Sequence, residues 1–134
     1  MPLKNIFKYQ LPPLLWVVVI YLLSSLPNPQ LRFKIPPGTD KILHAIIYFV
    51  LCWLSRRAFY HQDFFLLLRR SAYLGAFVFS VVYGFLDEYH QTHVPGRTWE
   101  LYDLLADAGG ALLYVAIAWM LQRREGNSAG NLES

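Results

Sequence analysis

Apolar residues fall in four blocks along the chain. Residues 14–26 read LLWVVVIYLLSSL, residues 42–54 read ILHAIIYFVLCWL, and residues 71–86 read SAYLGAFVFSVVYGFL. Residues 101–121 form the fourth block, apolar apart from two closely spaced acids. A helix needs roughly 20 apolar residues to cross ~30 Å of hydrocarbon. The first three blocks are shorter than that, so their polar flanks must lie near or inside the bilayer edge. The pattern predicts an all-α protein, a bundle of four transmembrane helices. Pro12 and Pro13 precede the first block, where a helix start tolerates proline.

The connecting segments differ in character. Residues 27–39 hold Pro27, Pro29, Pro36, Pro37 and Gly38 and continue neither neighbouring helix. Residues 56–70 are basic at both ends around an aromatic centre. There Phe64, Phe65, Leu66, Leu67 and Leu68 either begin the third helix early or lie along the interface. Residues 89–100 contain Pro95-Gly96, a turn signal. The four-helix unit is expected over residues 1–125 and a disordered tail over 126–134. A signal peptide is the competing reading of residues 14–23, but no small-x-small cleavage site follows them.

Composition narrows the class. Of the 134 residues, 55% are hydrophobic and 16% charged, and mean hydropathy is +0.30. Soluble domains carry about a quarter charged residues, so this is an apolar outlier. It is too apolar for a disordered chain. Cys52 is alone, which excludes a disulfide scaffold. The formal charge of +3 sits in pairs beside apolar blocks rather than in a stripe, so nucleic acid is not an expected partner.

The distribution of the cations orients the bundle. Lys4, Lys8, Arg56, Arg57, Arg69, Arg70, Arg123 and Arg124 flank one set of helix ends. Only Arg32, Lys34, Lys41 and Arg97 flank the other. The positive-inside rule then puts both termini in the cytoplasm and the first and third loops outside a cytoplasmic (inner) membrane.

The acids are concentrated. Asp40, Asp87, Glu88, Glu100, Asp103 and Asp107 all lie near the outer ends of the last three spans, with His44, His90 and His93. An ionisable group at mid-membrane costs roughly 2.5–3.5 kcal/mol on insertion scales, so such groups turn inward, pair, or line a wet cavity. Asp40, His44 and Tyr48 are four residues apart and share one helix face. Asp40 also stands at a helix start, where a carboxylate serves as N-cap. Asp87, His90 and Gln91 share a face of the third span, and Asp103 and Asp107 a face of the fourth, in line with Gly110 and Tyr114. Ala106, Ala108, Gly109, Gly110 and Ala111 are small enough for close helix approach. Two carboxylates on such a face call for a cation, and Arg97 is expected to pair with one or both. Trp53, Trp99 and Tyr102 read as interface anchors.

These residues resemble the VanZ-like family of small membrane proteins. The likeness runs through Asp40-Lys41-x-x-His44-x-x-x-Tyr48 and Asp87-Glu88-x-x-Gln91-x-x-x-Pro95-x-Arg97. It ends in Asp103-x-x-Ala106-Asp107-x-x-Gly110, covering residues 24 to 115. Family members usually have Asn where this chain has Asp107. The resemblance implies an association with resistance to teicoplanin, a lipoglycopeptide that acts at the outer face of the cytoplasmic membrane.

Two functions compete. In the first, an outward-facing polar pocket binds the head group of an envelope lipid, a lipid-linked precursor or a lipoglycopeptide, without turnover. In the second, a membrane hydrolase or transferase acts on a phosphoester of an envelope lipid. His44 is then general base or nucleophile, oriented by Asp40 or by a carboxylate of the third span, and Asp87 or Glu88 is the second acid or base. In both, Asp40, Lys41, Tyr48, Gln91, Arg97, Asp103 and Asp107 contact the ligand, with Arg97 on a phosphate or oxyanion. No cofactor is expected. A divalent metal on His44, Asp87, Glu88 and a third-loop histidine is the weaker alternative, because no HxxxH or CxxC spacing supports it. A second copy, pairing through the glycine faces, is a further partner the sequence allows.

Overall fold

Leu3–Ser24 forms one helix, α1, in the computed structural model, which describes residues 3–27, 36 and 38–130, with side chains to residue 124. The remaining helices are α2 (Thr39–His61), a short α3 (Leu66–Arg70), α4 (Ala72–Gln91) and α5 (Leu101–Gly130). No strand occurs among the described residues. Pro29, Arg32, Lys34 and Pro37 of the first loop lie outside the description. The expected tail, 126–134, falls where side chains or whole residues are outside it.

Helix α1 starts a full three turns before the apolar block does. Pro12 and Pro13 lack the N–H groups that would bond back to residues 8 and 9. The ladder widens there into a π-turn over Ile6–Gln10, and the Leu11 N–H reaches the Ile6 carbonyl. The freed Gln10 side chain donates to the Ala58 carbonyl at 2.9 Å and ties α1 to α2. Trp16 Nε1 donates to the Ile47 carbonyl (3.0 Å) and Tyr83 Oη to the Val17 carbonyl (2.9 Å).

Helix α2 is entered through Gly38, at φ +86°, a left-handed turn that glycine adopts without a Cβ clash. Gly38 is therefore the N-cap, and Asp40, expected there, lies within the first turn. Beyond His61, Gln62 Oε1 accepts the N–H groups of Phe64 and Phe65 and closes the turn into α3. Phe64, Phe65, Leu66 and Leu67 are all exposed. Leu66–Arg70 thus forms a separate short helix, with Phe64 and Phe65 in the turn before it, and the segment does not begin α4.

Exposed and buried positions are reversed relative to a soluble bundle. Leu14, Leu15, Val18, Leu22, Leu74, Phe85, Leu112 and Leu113 face outwards, while Asp87, Glu88, Gln91, Asp103 and Asp107 are buried. Leucine outside and carboxylate inside suits a hydrocarbon solvent. Three helices (Leu3–Ser24, Thr39–His61 and Leu101–Arg124) are long and apolar enough to cross a membrane. Helix α4 has the length but ends in Asp87-Glu88-Tyr89-His90-Gln91. Helix α5 packs chiefly on α2, then on α4.

The α2–α5 contact is set by small residues. A Cβ at Gly110 would stand 2.0 Å from the Ala45 carbonyl oxygen, so the two backbones touch there. Gly109 has nothing within 4 Å, so of the two neighbouring glycines only Gly110 serves the contact. Further along, Cys52, Ala76, Ala111 and Tyr114 form the apolar core between α2, α4 and α5.

Candidate functional site

The polar groups of α2, α4 and α5 meet at one end of the bundle, where α2 and α5 begin and α4 ends. Lys41, in the first turn of α2, reaches across to α5. Its Nζ lies 2.6 Å from Glu100 Oε2 and 3.0 Å from Asp40 Oδ2, and it also donates to Asp103 Oδ1. One turn deeper, His44 Nδ1 lies 2.8 Å from Asp107 Oδ1. The other ring nitrogen, Nε2, is 3.7 Å from Asp103 Oδ2. The imidazole therefore stands between two carboxylates of α5.

Helix α4 supplies the remaining wall. Glu88 is fully buried, and its Oε2 accepts the Glu100 N–H at 3.1 Å. That bond places an anion at the N-terminus of α5, the end of a helix that favours negative charge. Asp87 accepts from Gln91 Nε2 (3.3 Å), and Gln91 Oε1 accepts from Arg97 Nη1 (2.8 Å). Tyr48 is buried beside Asp107. Gly84 makes room for both, since a Cβ there would lie 2.9 Å from Asp107 Oδ2 and 3.3 Å from Tyr48 Cε1.

Side-chain exposure falls along this path, from 48% at Glu100 and 30% at Lys41 to 17% at His44 and 0% at Asp107. The cluster has a rim at Glu100, Lys41 and Asp40 and a floor at Asp107 and Glu88. Among the described residues, three buried atoms at the floor have no hydrogen-bond partner: Tyr48 Oη, Glu88 Oε1 and Asp107 Oδ2. Buried polar atoms are almost always paired, so three orphans in one small region need an explanation.

Arg97 corrects the sequence reading. It contacts neither aspartate of α5. Nε donates to the Leu26 carbonyl (2.9 Å) and Nη2 to that of Leu23 (3.5 Å). The turn at Pro95-Gly96, with Gly96 at φ +78°, carries Arg97 back over the end of α1 instead of towards α5. The cation on the aspartates is Lys41. Likewise His44 is oriented by Asp107 and not by Asp40, whose partner is Lys41.

The other histidines stay outside. His90 Nε2 lies 3.0 Å from Ser25 Oγ, and its ring lies tilted against Tyr21 of α1, with centroids 4.7 Å apart. His93 remains on the exposed loop beside Thr92. Glu100, counted among the acids but not assigned to the site, belongs at its rim. Gly84 and Ser25 were not foreseen; the signal for Gly84 was a glycine one turn before Asp87 on the same face. A separate apolar cavity lies at the opposite end, lined by Gln10, Pro13, Val17, Ser55, Ala58 and Phe79.

Residues 1–122, which include every residue of this cluster, match the VanZ/LLP1 family. The chain belongs to that family. Comparison with curated proteins and with solved structures gives no match. Membership and the three apolar helices together make this VanZ-family chain a membrane protein. The Asp107 carboxylate occupies the position where the family resemblance expects Asn. An Asn Oδ1 would accept the same His44 N–H, so the departure adds charge without removing the bond.

Proposed function

We propose that this VanZ-family protein crosses the cytoplasmic membrane four times, with both termini inside. The polar cluster then faces the outer leaflet and receives the anionic head group of an envelope lipid or lipid-linked precursor, changing what reaches the cell surface. Protection against teicoplanin is the phenotype this reading predicts. The observation that carries it is the state of Arg97. Among the described residues its guanidinium has no carboxylate within ion-pair distance, and it is held at the rim by two backbone carbonyls and Gln91. Lys41 is already shared among three acids. Arg97 has five N–H donors, and those three acceptors leave two for a phosphate.

The sidedness has its own test. Cys52 is completely buried, so introduced cysteines report against a quiet background. Thr98→Cys is expected to react with a membrane-impermeant thiol reagent on intact cells, and Phe64→Cys only after permeabilisation. The reverse pattern contradicts the orientation.

Head-group binding is tested with purified protein in nanodiscs containing phosphatidylglycerol, by native mass spectrometry of retained lipid. A charge-assisted bidentate contact contributes about 1.5–3 kcal/mol, so Arg97→Gln is expected to weaken retention roughly tenfold or more. Unchanged retention removes the reading. The second reading, phosphoester hydrolysis, draws on the Asp107–His44 pair, a carboxylate-oriented imidazole of the kind that serves as general base. Intact lipid after incubation favours binding alone; cleavage to diacylglycerol and glycerol phosphate, or to phosphatidic acid and glycerol, favours hydrolysis.

A further inference from the structure

We propose that His44, Glu88 and Asp103 form a binding site for a divalent transition-metal ion, with Asp107 orienting the histidine from behind. One ligand atom from each of the three residues lies within 4.8 Å of the other two, and each residue comes from a different helix. The site stands on the geometry of the cluster alone, so it and the head-group reading can fail separately.

The way each residue is held supports the assignment. Glu88 uses Oε2 to accept the Glu100 N–H, and Oε1 is buried with no partner. Asp103 uses Oδ1 for Lys41. His44 uses Nδ1 for Asp107. Each residue thus has one atom fixed by a supporting contact and a second that no hydrogen bond engages. His44 Nε2 and Asp103 Oδ2 face each other at 3.7 Å, too far for a hydrogen bond. Two ligands on a shared ion, each bonded at about 2.0–2.2 Å, stand roughly 3–3.5 Å apart. A metal-bound histidine almost always gives its other ring N–H to a carboxylate, which is the role Asp107 fills here.

Charge leads to the same place. Asp87, Glu88, Asp103 and Asp107 are all more than nine-tenths buried. Among the described residues, the cations in contact with them are Lys41, shared with Asp40 and Glu100, and His44 where it is protonated. A dication between Glu88 and Asp103 would offset the excess of buried negative charge and give Glu88 Oε1 its missing partner. Imidazole with carboxylate suits Zn²⁺ or Mn²⁺, whereas Mg²⁺ and Ca²⁺ favour oxygen-only shells.

The test uses the purified full chain, stripped with chelator and titrated with Zn²⁺ or Mn²⁺ alone, without added lipid. About one ion per chain is expected to bind. Glu88→Gln and Asp103→Asn should abolish binding in protein that remains helical by circular dichroism. Asp107→Leu, which removes the bond to His44 Nδ1, should weaken it ~10–100-fold, as expected for a supporting residue. His93→Gln and Arg97→Gln should bind as wild type. Should the Glu88 variant fail to fold, the wild-type chain decides. Bound Mn²⁺ is expected to broaden the NMR signals of Tyr48 and to spare those of His61. Folded wild-type protein that binds neither ion, equal binding by folded Glu88→Gln, or broadening centred on His61 overturns the proposal.

Discussion

Gly110→Ala is expected to deprive this protein of its folded state, while Gly109→Ala, one residue away, leaves it intact or slightly more stable. At Gly110 the added carbon would stand 2.0 Å from the Ala45 carbonyl oxygen, 2.7 Å from its carbon and 2.8 Å from the Ala45 Cα. All three are backbone atoms and no side chain can swing aside. Relief requires α2 and α5 to part, and the contact adjoins His44 on one helix and lies three residues beyond Asp107 on the other. The same displacement that admits the methyl therefore pulls the His44–Asp107 bond apart. Overpacking costs about 1–3 kcal/mol where side chains can adjust; a backbone clash belongs at the upper end or beyond. At Gly109 nothing lies within 4 Å, and alanine is favoured over glycine in a helix by up to ~1 kcal/mol. Size-exclusion profiles and thermal denaturation in detergent separate the two outcomes. A folded, wild-type-like Gly110→Ala protein would mean that the helices do not meet at this point.

The second large effect concerns the imidazole. His44→Leu leaves Asp107 fully buried without its partner, and Oδ2 of that carboxylate already has none. Removing one member of a buried pair costs ~3–5 kcal/mol, because the survivor keeps its desolvation penalty and loses its compensation. The stability loss should be large for His44→Leu and much smaller for His44→Leu with Asp107→Leu, where both polar groups are gone. The coupling energy between the two sites, from the double-mutant cycle, is expected to be strong. Additive losses would place His44 and Asp107 apart. Activity cannot substitute for stability in this measurement, since the hydrolysis reading uses His44 itself.

Much of this arrangement was legible in the chain. Helical spacing alone put Asp40, His44 and Tyr48 on one face and Asp103, Asp107 and Gly110 on another. The crowding of acids at one set of helix ends indicated that these faces meet. Periodicity, however, describes a helix only about its own axis. It does not give the rotation or depth of one helix against another, and those decide whether Lys41 or Arg97 meets the aspartates. Residues 40 and 41 are about 100° apart on the wheel, so a modest turn of α2 exchanges which of them faces α5. For Arg97 the deciding feature was the loop: a left-handed Gly96 reverses the chain over α1. The early start of α1 was hidden for a different reason. Pro12 and Pro13 read as a helix start, yet a π-turn absorbs the missing donors and lets the helix begin at Leu3. Gly109 and Gly110 look alike in sequence and differ only in what stands opposite.

The physical picture is of an apolar shell around a polar end-cluster in which each acid is engaged by a group from another helix or, for Asp40 and Asp87, from its own. Lys41 links α2 to the start of α5, Glu88 links the end of α4 to the same point, and His44 bridges below them. Arg97 is tied to Leu23 and Leu26 at the end of α1 and to Gln91 of α4, and among the described residues no carboxylate pairs with it.

That convergence is most directly tested by solid-state NMR on the protein in lipid bilayers, measuring the dipolar coupling between the ¹⁵N-labelled His44 ring and the ¹³C-labelled Asp107 carboxylate. A coupling that corresponds to an N···O contact near 2.8 Å is the predicted result. No detectable coupling in folded, bilayer-embedded protein would place the two groups on surfaces that do not meet, and the account would be wrong.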